Sequence, residues 1–340
     1  MTVDASRSIR LTELTSCGGC AAKWGASLLG ELVAGLAADR DGNGDGLLVG
    51  LAPSDDAAVV EVAPGVALVS TTDFFPPLVD DPGDYGAIAA ANACSDVFAM
   101  GGDVLVALNI AAFPETLPPE VIQEIFRGAA EVVAEAGGVI AGGHTIRSPE
   151  PIFGLAVQGL VRPGAHFTKG GALPGDALVL SKPLGTGLAL ASGDEAAVAA
   201  AVASMRRLNR DAARALRAQG TAVHAVTDVT GFGLLGHGWE MADRSGAHLA
   251  FAAGLLPVLD GVLSAARAGV RTGGDSRNRD YVAGHVDLGP DGAAAALGFD
   301  PQTSGGLLAA VEPATVGPLG AAGFVPVGRV TAGPALVSLR

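Results

Sequence analysis

Lysine is nearly missing from this chain: of its 21 basic side chains only three, Lys23, Lys169 and Lys182, carry an ammonium, and the rest are arginines. Cysteine is as scarce, with three in 340 residues. Three cysteines cannot build a disulfide framework, and no basic stretch leads into an apolar core at the start of the chain, so a reducing, cytoplasmic setting is expected. Long apolar runs are missing too. The longest stretch without Asp, Glu, Lys or Arg is residues 313 to 328, and its three prolines and four glycines rule it out as a membrane span. Charged residues make up 16% against 49% hydrophobic, which argues for a well-buried globular protein and against disorder. At 340 residues there is room for about two domains. The net charge of -14 opposes nonspecific binding to nucleic acid or to an anionic membrane, both negative themselves. An anionic substrate would therefore need metal ions or local cations.

Two of the three cysteines and one of the three lysines fall within seven residues, Cys17-Gly-Gly-Cys20-Ala-Ala-Lys23. An ammonium close to a thiol favours the thiolate, and the glycines open backbone conformations closed to other residues. A reactive loop near the N-terminus is one reading. A zinc site is another, but a structural zinc site needs a second ligand pair and only Cys94 remains. A thioredoxin-like redox pair would suit the helical stretch at residues 26 to 38, although the strand expected before the motif is absent. Coincidence in a chain rich in glycine and alanine is a fourth. The motif alone does not choose among them.

The pattern along the chain alternates strands and helices. Valine-rich runs at 57 to 62 and 66 to 71, broken by Pro64 and Gly65, read as a hairpin. Residues 84 to 99 and 119 to 136 have helical length and flank a strand at 104 to 113; another strand is expected at 152 to 161. Beyond a Gly/Pro-rich linker come a strand at 177 to 181, helices within 186 to 219, a strand at 222 to 227 and a helix at 234 to 244. Strands near 248 to 252, 306 to 311 and 324 to 330 complete the series. The fold class is α+β, in two mixed units. The division expected is a mobile, glycine-rich catalytic segment with its helix at 1–46, a first domain at 47–163, a linker at 164–176 and a second domain at 177–340.

Three aspartates interrupt apolar runs: Asp56 in SDDAAVVEV, Asp96 in ANACSDVFAMGG and Asp228 in AVTDVTGFGLLGH. A buried carboxylate is costly unless paired, hydrogen-bonded or bound to metal. With so few lysines to pair with, metal gains weight. Asp55 and Asp73 add two more oxygens, and such ligands suit Mg²⁺ shared with phosphates. Helix or turn capping is the plain alternative for Asp55, Asp96 and Asp228. Gly142-Gly143-His144-Thr145 and Gly305-Gly306 read as turns that could offer N–H groups to phosphate, but neither matches a Walker loop. Cys94 reads as a small buried hydrophobe.

Taken together, GGCAAK, SDDAAV, STTDFFPPLVDDP, NACSDVFAMGG, AGGHTI, PEPIFGLAVQGLV, TDVTGFGLLGH, GGDSRN and DPQTSGGLL resemble the selenophosphate synthetases, or selenide, water dikinases, of the aminoimidazole ribonucleotide synthetase-like superfamily. The match runs in order from Leu11 to about Leu308. The resemblance implies two α/β-sandwich-type domains, with N-terminal domains pairing their sheets in a homodimer and ATP sites near that interface. It implies conversion of ATP, selenide and water to selenophosphate, AMP and orthophosphate, with Mg²⁺ and a potassium requirement. The product would donate selenium to selenocysteine and modified tRNA, with a selenium-delivery protein as a partner and no direct nucleic-acid or membrane contact.

On this resemblance the catalytic pair falls on Cys20 and Lys23, with Lys23 also at the nucleotide, and Cys17 is an extra thiol. The metal aspartates fall on Asp56, Asp96 and Asp228. Nucleotide contacts fall on Pro53, Ser54, Asp55, Asp73, Asp96, Gly143, His144 and Thr145. Pro53 and Ser54 stand where a common family form has Thr-Arg, so an arginine contact to phosphate would be missing or supplied from elsewhere. Ala21 and Ala22 occupy the gap where some members carry a second cysteine. The rival readings are another ATP-using enzyme of the superfamily, or a thiol redox or selenium-binding protein with structural aspartates.

Overall fold

The computed structural model describes residues 9–15, 18–19, 46–52 and 54–340. The helix expected at residues 26 to 38 lies outside them. The first unit comprises β1 (Leu47–Val49), β2 (Ala58–Ala63), β3 (Val66–Phe75), α1 (Pro82–Ala99), β4 (Asp103–Phe113), α2 (Pro119–Ala136), β5 (Val139–Arg147) and β6 (Ile152–Val161). Its strands form one sheet in the order β1-β2-β3-β6-β4-β5, antiparallel throughout except for the parallel pair β4 and β5. Successive side chains of a strand point to opposite faces. In β3, Ala67, Val69, Asp73 and Phe75 are accordingly buried beneath α1, whereas Phe74 remains 48% exposed. Leu108 and Ile146 are likewise exposed on the sheet.

Helix α1 begins where the Asp81 carboxylate accepts a hydrogen bond from the Asp84 N–H at 2.8 Å, with Pro82 in the first turn. Nearly every residue from Gly83 to Ala99 is buried, as expected of a helix that is apolar all round and covered on all sides. The sheet lies along one side and α2 along another. That second contact is backbone to backbone: a Cβ on Gly86 would stand 1.9 Å from the Ile125 carbonyl oxygen, and one on Gly128 2.1 Å from that of Gly83.

The second unit comprises β7 (Ala177–Leu180), α3 (Thr186–Ser192), α4 (Glu195–Arg206), α5 (Arg210–Arg217), β8 (Val223–Asp228), α6 (Gly233–Ser245), β9 (His248–Phe251), α7 (Val262–Arg267), α8 (Asp275–Tyr281), β10 (Val286–Leu288), α9 (Gly292–Phe299), β11 (Leu307–Val311), α10 (Val316–Ala321), β12 (Val325–Thr331) and β13 (Leu336–Leu339). The sheet order is β10-β13-β9-β12-β7-β11-β8. Strand β11 lies between β7 and β8 with all five residues buried, which its unbroken apolar sequence LLAAV requires. Helices α4 and α5 and strand β8 pack against α1, so the first unit's central helix also lines the seam between the units. Arginines close that seam: Arg217 holds both oxygens of Asp103 at 2.9 Å, Arg206 meets Asp84, and Arg210 donates to the Glu135 carbonyl at the end of α2. Among the described residues no helix is long and apolar enough to cross a membrane.

One sequence expectation is corrected here. Residues 142 to 145 form no turn; they lie inside the edge strand β5, paired in parallel with β4. Gly142 and Gly143 continue the strand at φ 149° and 153°, opposite a register shift between Ala107 and Leu108. A side chain at 143 would also strike Asn109, since its Cβ would lie 2.3 Å from that residue's carbonyl oxygen. The helices between residues 262 and 299 and at 316 to 321 were not anticipated.

The packing gives a paired prediction. Gly86→Ala forces α1 and α2 apart and should cost about 1–3 kcal/mol, the usual range for overpacking. Gly320→Ala, in a helix with nothing within 4 Å of the new carbon, should be neutral or stabilise by up to about 1 kcal/mol. Thermal or urea unfolding of the two variants checks both, and equal effects would contradict the packing argument.

Candidate active site at the domain seam

Three polar residues on α1, Asn92, Ser95 and Asp96, form a stripe at helical spacing in an otherwise apolar helix. Asn92 and Asp96 face β3. The Asn92 amide donates to Asp73 at 2.6 Å, and the Thr71 hydroxyl donates to Asp96 at 2.5 Å. The pairing works because two residues along a strand and four along a helix both advance about 6 Å. Ser95 faces the second unit and donates to the Asp228 carboxylate at 2.6 Å, while the Asn209 amide donates to Ser95 at 2.9 Å and to the Gly305 carbonyl at 2.7 Å. The Ser304 N–H donates to Asn92 at 2.7 Å. One stripe therefore ties Asp73, Asp96 and Asp228 together across the seam.

Asp56 lies beside this stripe in a cluster short of positive charge. One of its oxygens, Oδ1, accepts from Lys169 Nζ at 2.9 Å and from the Thr227 hydroxyl at 3.1 Å. The other, Oδ2, is buried with no hydrogen-bond partner among the described residues. Burial holds the Asp56 carboxyl well above the ordinary range; Lys169 opposes this, and Asp228 and Asp55 add to it. Lys169 Nζ also reaches Glu240 at 3.0 Å, and Glu240 in turn meets His237 Nδ1 at 3.2 Å. Burial pushes Glu240 upward, but Lys169 and His237 outweigh it and hold it below the ordinary range. Asp55 accepts the N–H groups of Asp56 and Lys169, both at 2.9 Å, a turn-capping role. Arg244 donates to Ser54 at 3.2 Å, which brings a guanidinium to the position where the sequence lacks one.

The DPQTSGG segment lies buried in the seam and does not form an open phosphate loop. A Cβ on Gly305 would meet the Val229 carbonyl oxygen at 1.9 Å. Ser304 is the single non-glycine residue with positive φ among those described, at 48°. Lys182 holds it there, donating to its carbonyl at 2.7 Å. Burial, aided by Arg207, lowers the Lys182 ammonium to about 7, while Asp228 opposes. The preceding Thr303 faces Gly19, whose own N–H donates to the Pro76 carbonyl at 2.9 Å just beyond β3. The chain immediately before Cys20 is thus seated between the end of β3 and the Ser304 loop, beside a cleft of about 350 Å³ bounded by Gly18, Leu78, Thr272 and Pro301.

Of the residues singled out in the sequence, Cys17, Cys20, Lys23 and Pro53 lie outside the described residues. Asp55, Asp56, Asp73, Asp96 and Asp228 converge on the seam. Gly143 does not join them. It shares a sheet row with Asp73 through Leu155 and Asn109, which puts it three strands, or about 14 Å, away. His144 lies in the neighbouring row with Ile110, Gly154 and the exposed Phe74, and Thr145 follows on the same exposed edge strand. Cys94 is buried and its thiol is pushed up to about 12 by burial, so it is an inert core side chain. Sequence reasoning missed Lys169, Glu240, His237, Lys182, Asn92, Ser95 and Asn209. The scarcity of lysine was the available signal, since both lysines other than Lys23 are buried at this seam.

The oxygens present fit a divalent cation shared with a substrate. Among the described residues no three acidic, histidine or cysteine side chains gather closely enough to hold a metal unaided. Mg²⁺ is ordinarily held by one or two carboxylates plus phosphates, and the bare Asp56 oxygen in an acidic cluster is the donor such an ion needs.

Comparison with known proteins agrees over both units. Residues 54–161 match the family model "AIR synthase related protein, N-terminal domain", and residues 174–338 match its C-terminal counterpart. Selenide, water dikinase of Myxococcus xanthus is 45% identical over 310 residues, covering 89% of this chain and 87% of that protein. The enzyme of the same name from Caldanaerobacter subterraneus is 44% identical, covering 89% and 88%. Among solved structures, AaThiL complexed with AMPPCP and TMP superposes with a TM-score of 0.69 at 21% identity, covering 98% of this chain and 96% of that one. The hydrogenase maturation protein HypE in complex with ATP gives 0.61 at 18% identity, covering 83% and 81%. These structures share the fold.

Asp300 offers a pH test of how the buried loop is held. Burial raises its carboxyl to about 7, against hydrogen bonds from the Leu188 N–H and Gln302. Between the ordinary value near 4 and pH 7 the folded chain keeps a proton that the unfolded chain has lost. Its contribution to stability is therefore whole below about pH 4 and falls away as pH rises through 7, by up to about 1.4 kcal/mol per pH unit. Urea unfolding at pH 5 and pH 8 should show the wild type losing stability relative to Asp300→Asn; parallel profiles would contradict the assignment.

Proposed function

This chain belongs to the selenide, water dikinase family and makes selenophosphate from selenide with ATP, and we propose that it does so at the seam between its two units. The observation that carries the placement is the convergence of Asp73, Asp96 and Asp228 on the polar stripe of α1, with Asp56 held next to Asp228 through Thr227. Asp56, Asp96 and Asp228 would hold Mg²⁺, which supplies neutralisation of the triphosphate when bound. Asp55, Ser54 and Asp73 would line the nucleotide's position, with Arg244 as the nearby guanidinium, and Pro53 is assigned there from the family resemblance alone. Phosphoryl transfer asks the protein mainly for positioning and charge. The hydrogen bonds from Asn92 and Thr71 orient Asp73 and Asp96.

Cys20 is the selenium-handling thiol and Lys23 the compact ammonium for phosphate. Support for their placement comes from Gly18 and Gly19, which seat the adjoining chain against Pro76 and Thr303. Selenide, or a protein delivering it, would approach through the cleft beside Gly18. AMP and orthophosphate as co-products, and a potassium requirement, rest on the family resemblance. A cytoplasmic setting suits a reduced thiol.

We place a second copy of the chain on the open face of the first sheet, where Phe74, Leu108 and Ile146 are exposed. Gly143, His144 and Thr145 lie on the edge strand, three strands from Asp73 within one chain. A paired sheet would bring a partner's edge strand to it.

³¹P NMR of ATP and Mg²⁺ with and without selenide tests the reaction. Selenophosphate, orthophosphate and AMP should appear together and depend on selenide; ADP with a phosphorylated organic acceptor would point to another kinase of the superfamily. Cys20→Ser should abolish selenide-dependent AMP formation and leave ATP binding within a few-fold, whereas wild-type turnover would remove Cys20 from the mechanism. Lys23→Arg should also fail, because a planar fork does not replace a point charge.

A further inference from the structure

Lys169 is paired in a way that an ordinary structural ion pair is not. Its ammonium and the Thr227 hydroxyl both engage Asp56 Oδ1, at 2.9 and 3.1 Å, although Oδ2 of the same carboxylate is buried and bare. The two donors come from different elements, the linker and β8, so Oδ1 is pinned from two directions. Lys169 is pinned in turn: its N–H donates to Asp55 at 2.9 Å, and Nζ contacts Glu240 Oε2 at 3.0 Å. Glu240 is held by His237, whose Nε2 meets the Thr230 hydroxyl at 3.2 Å. Side-chain exposure along the line is 4% for Asp56 and 10% for Lys169. A buried carboxylate oxygen without a partner is expensive.

We propose that Lys169 is a positioning residue for the divalent cation: by taking one oxygen of Asp56 at a single point it fixes the carboxylate and leaves Oδ2 as the metal's ligand atom. The inference rests on reading Asp56 as a metal ligand. It explains why lysine stands here in a chain that otherwise uses arginine almost throughout. An ammonium donates from one centre and occupies one oxygen. A guanidinium presents a fork matched to both oxygens of a carboxylate and would cover Oδ2 as well. Glu240 keeps Lys169 from neutralising Asp56 completely, so the site retains negative charge for the incoming ion.

The test is Mn²⁺ binding to the full chain in the presence of a non-hydrolysable ATP analogue, followed by the enhancement of water-proton relaxation, with thermal unfolding measured in parallel. Lys169→Arg keeps the charge and should keep the unfolding midpoint within a few degrees, yet its Mn²⁺ affinity should fall roughly 10- to 100-fold, the usual effect of disturbing a metal ligand's partner. A purely structural ion pair makes the opposite demand, that arginine rescue both properties. Wild-type Mn²⁺ affinity in a folded Lys169→Arg protein overturns the proposal and leaves the function standing. Absence of Mn²⁺ binding in the wild type, or no loss in Asp56→Asn, overturns the metal reading itself and this proposal with it. Should Lys169→Arg not fold, Glu240→Gln carries the same test: Lys169 then neutralises Asp56 alone, Mn²⁺ binding should weaken several-fold, and unchanged binding contradicts the role.

Discussion

A helix buried on every side can place a polar side chain only against another polar group, and α1 carries Asn92, Ser95 and Asp96 into that position. The partners come from four places: Asp73 and Thr71 on β3, Asp228 at the end of β8, Asn209 just before α5, and the Ser304 loop. Each contact satisfies a group that would be costly to leave unpaired. Together they fix how the two units meet. The close approach of α1 and α2 through Gly86 and Gly128 sets the helix, the helix sets the stripe, and the stripe sets the carboxylates. The chemistry proposed for this seam would therefore depend on packing that lies away from the site itself.

The electrostatic design follows from the shortage of ammonium groups. Lys169 sits among Asp55, Asp56 and Glu240, with Asp228 close enough to influence Asp56. Lys182 is the second buried lysine, spent on backbone carbonyls that hold Ser304 in its left-handed conformation. Neither cancels the acidic cluster. The remaining negative charge is what a divalent cation would neutralise, and that cation would in turn carry the nucleotide's phosphates, which would make binding of ion and nucleotide mutually supportive.

Much of the fold was legible because its elements carry clean periodicity. Helix α2 and strand β6 occupy the residues that their patterns indicated, and the valine-rich hairpin at Pro64 and Gly65 is present. Strand β5 was misread because its two glycines suggest a turn, and only the pairing with a bulged β4 shows that a glycine at extended positive φ continues the strand. The aspartates were legible as polar interruptions in apolar runs. Scarce lysine does not leave them to metal alone, since Lys169, more than a hundred residues from Asp56 in sequence, reaches that carboxylate across the seam. Such long-range pairing has no local signature. Asn92, Ser95 and Asn209 were overlooked for the same reason, as each becomes informative only once its distant partner is known. Cys20 and Lys23 were assigned from motif resemblance, and the seating of Gly18 and Gly19 is the structural fact that bears on them.

The central claim is that the carboxylates of the α1 seam hold the metal-nucleotide complex. Anomalous diffraction from crystals grown with Mn²⁺ and a non-hydrolysable ATP analogue tests it most directly. The account predicts a Mn²⁺ peak at metal-ligand distance, about 2.0–2.2 Å, from Asp56 Oδ2, with the triphosphate beside Asp73 and Asp96 and Lys169 still on Asp56 Oδ1. A nucleotide bound with its metal elsewhere, with Asp56 paired only to Lys169, would contradict it.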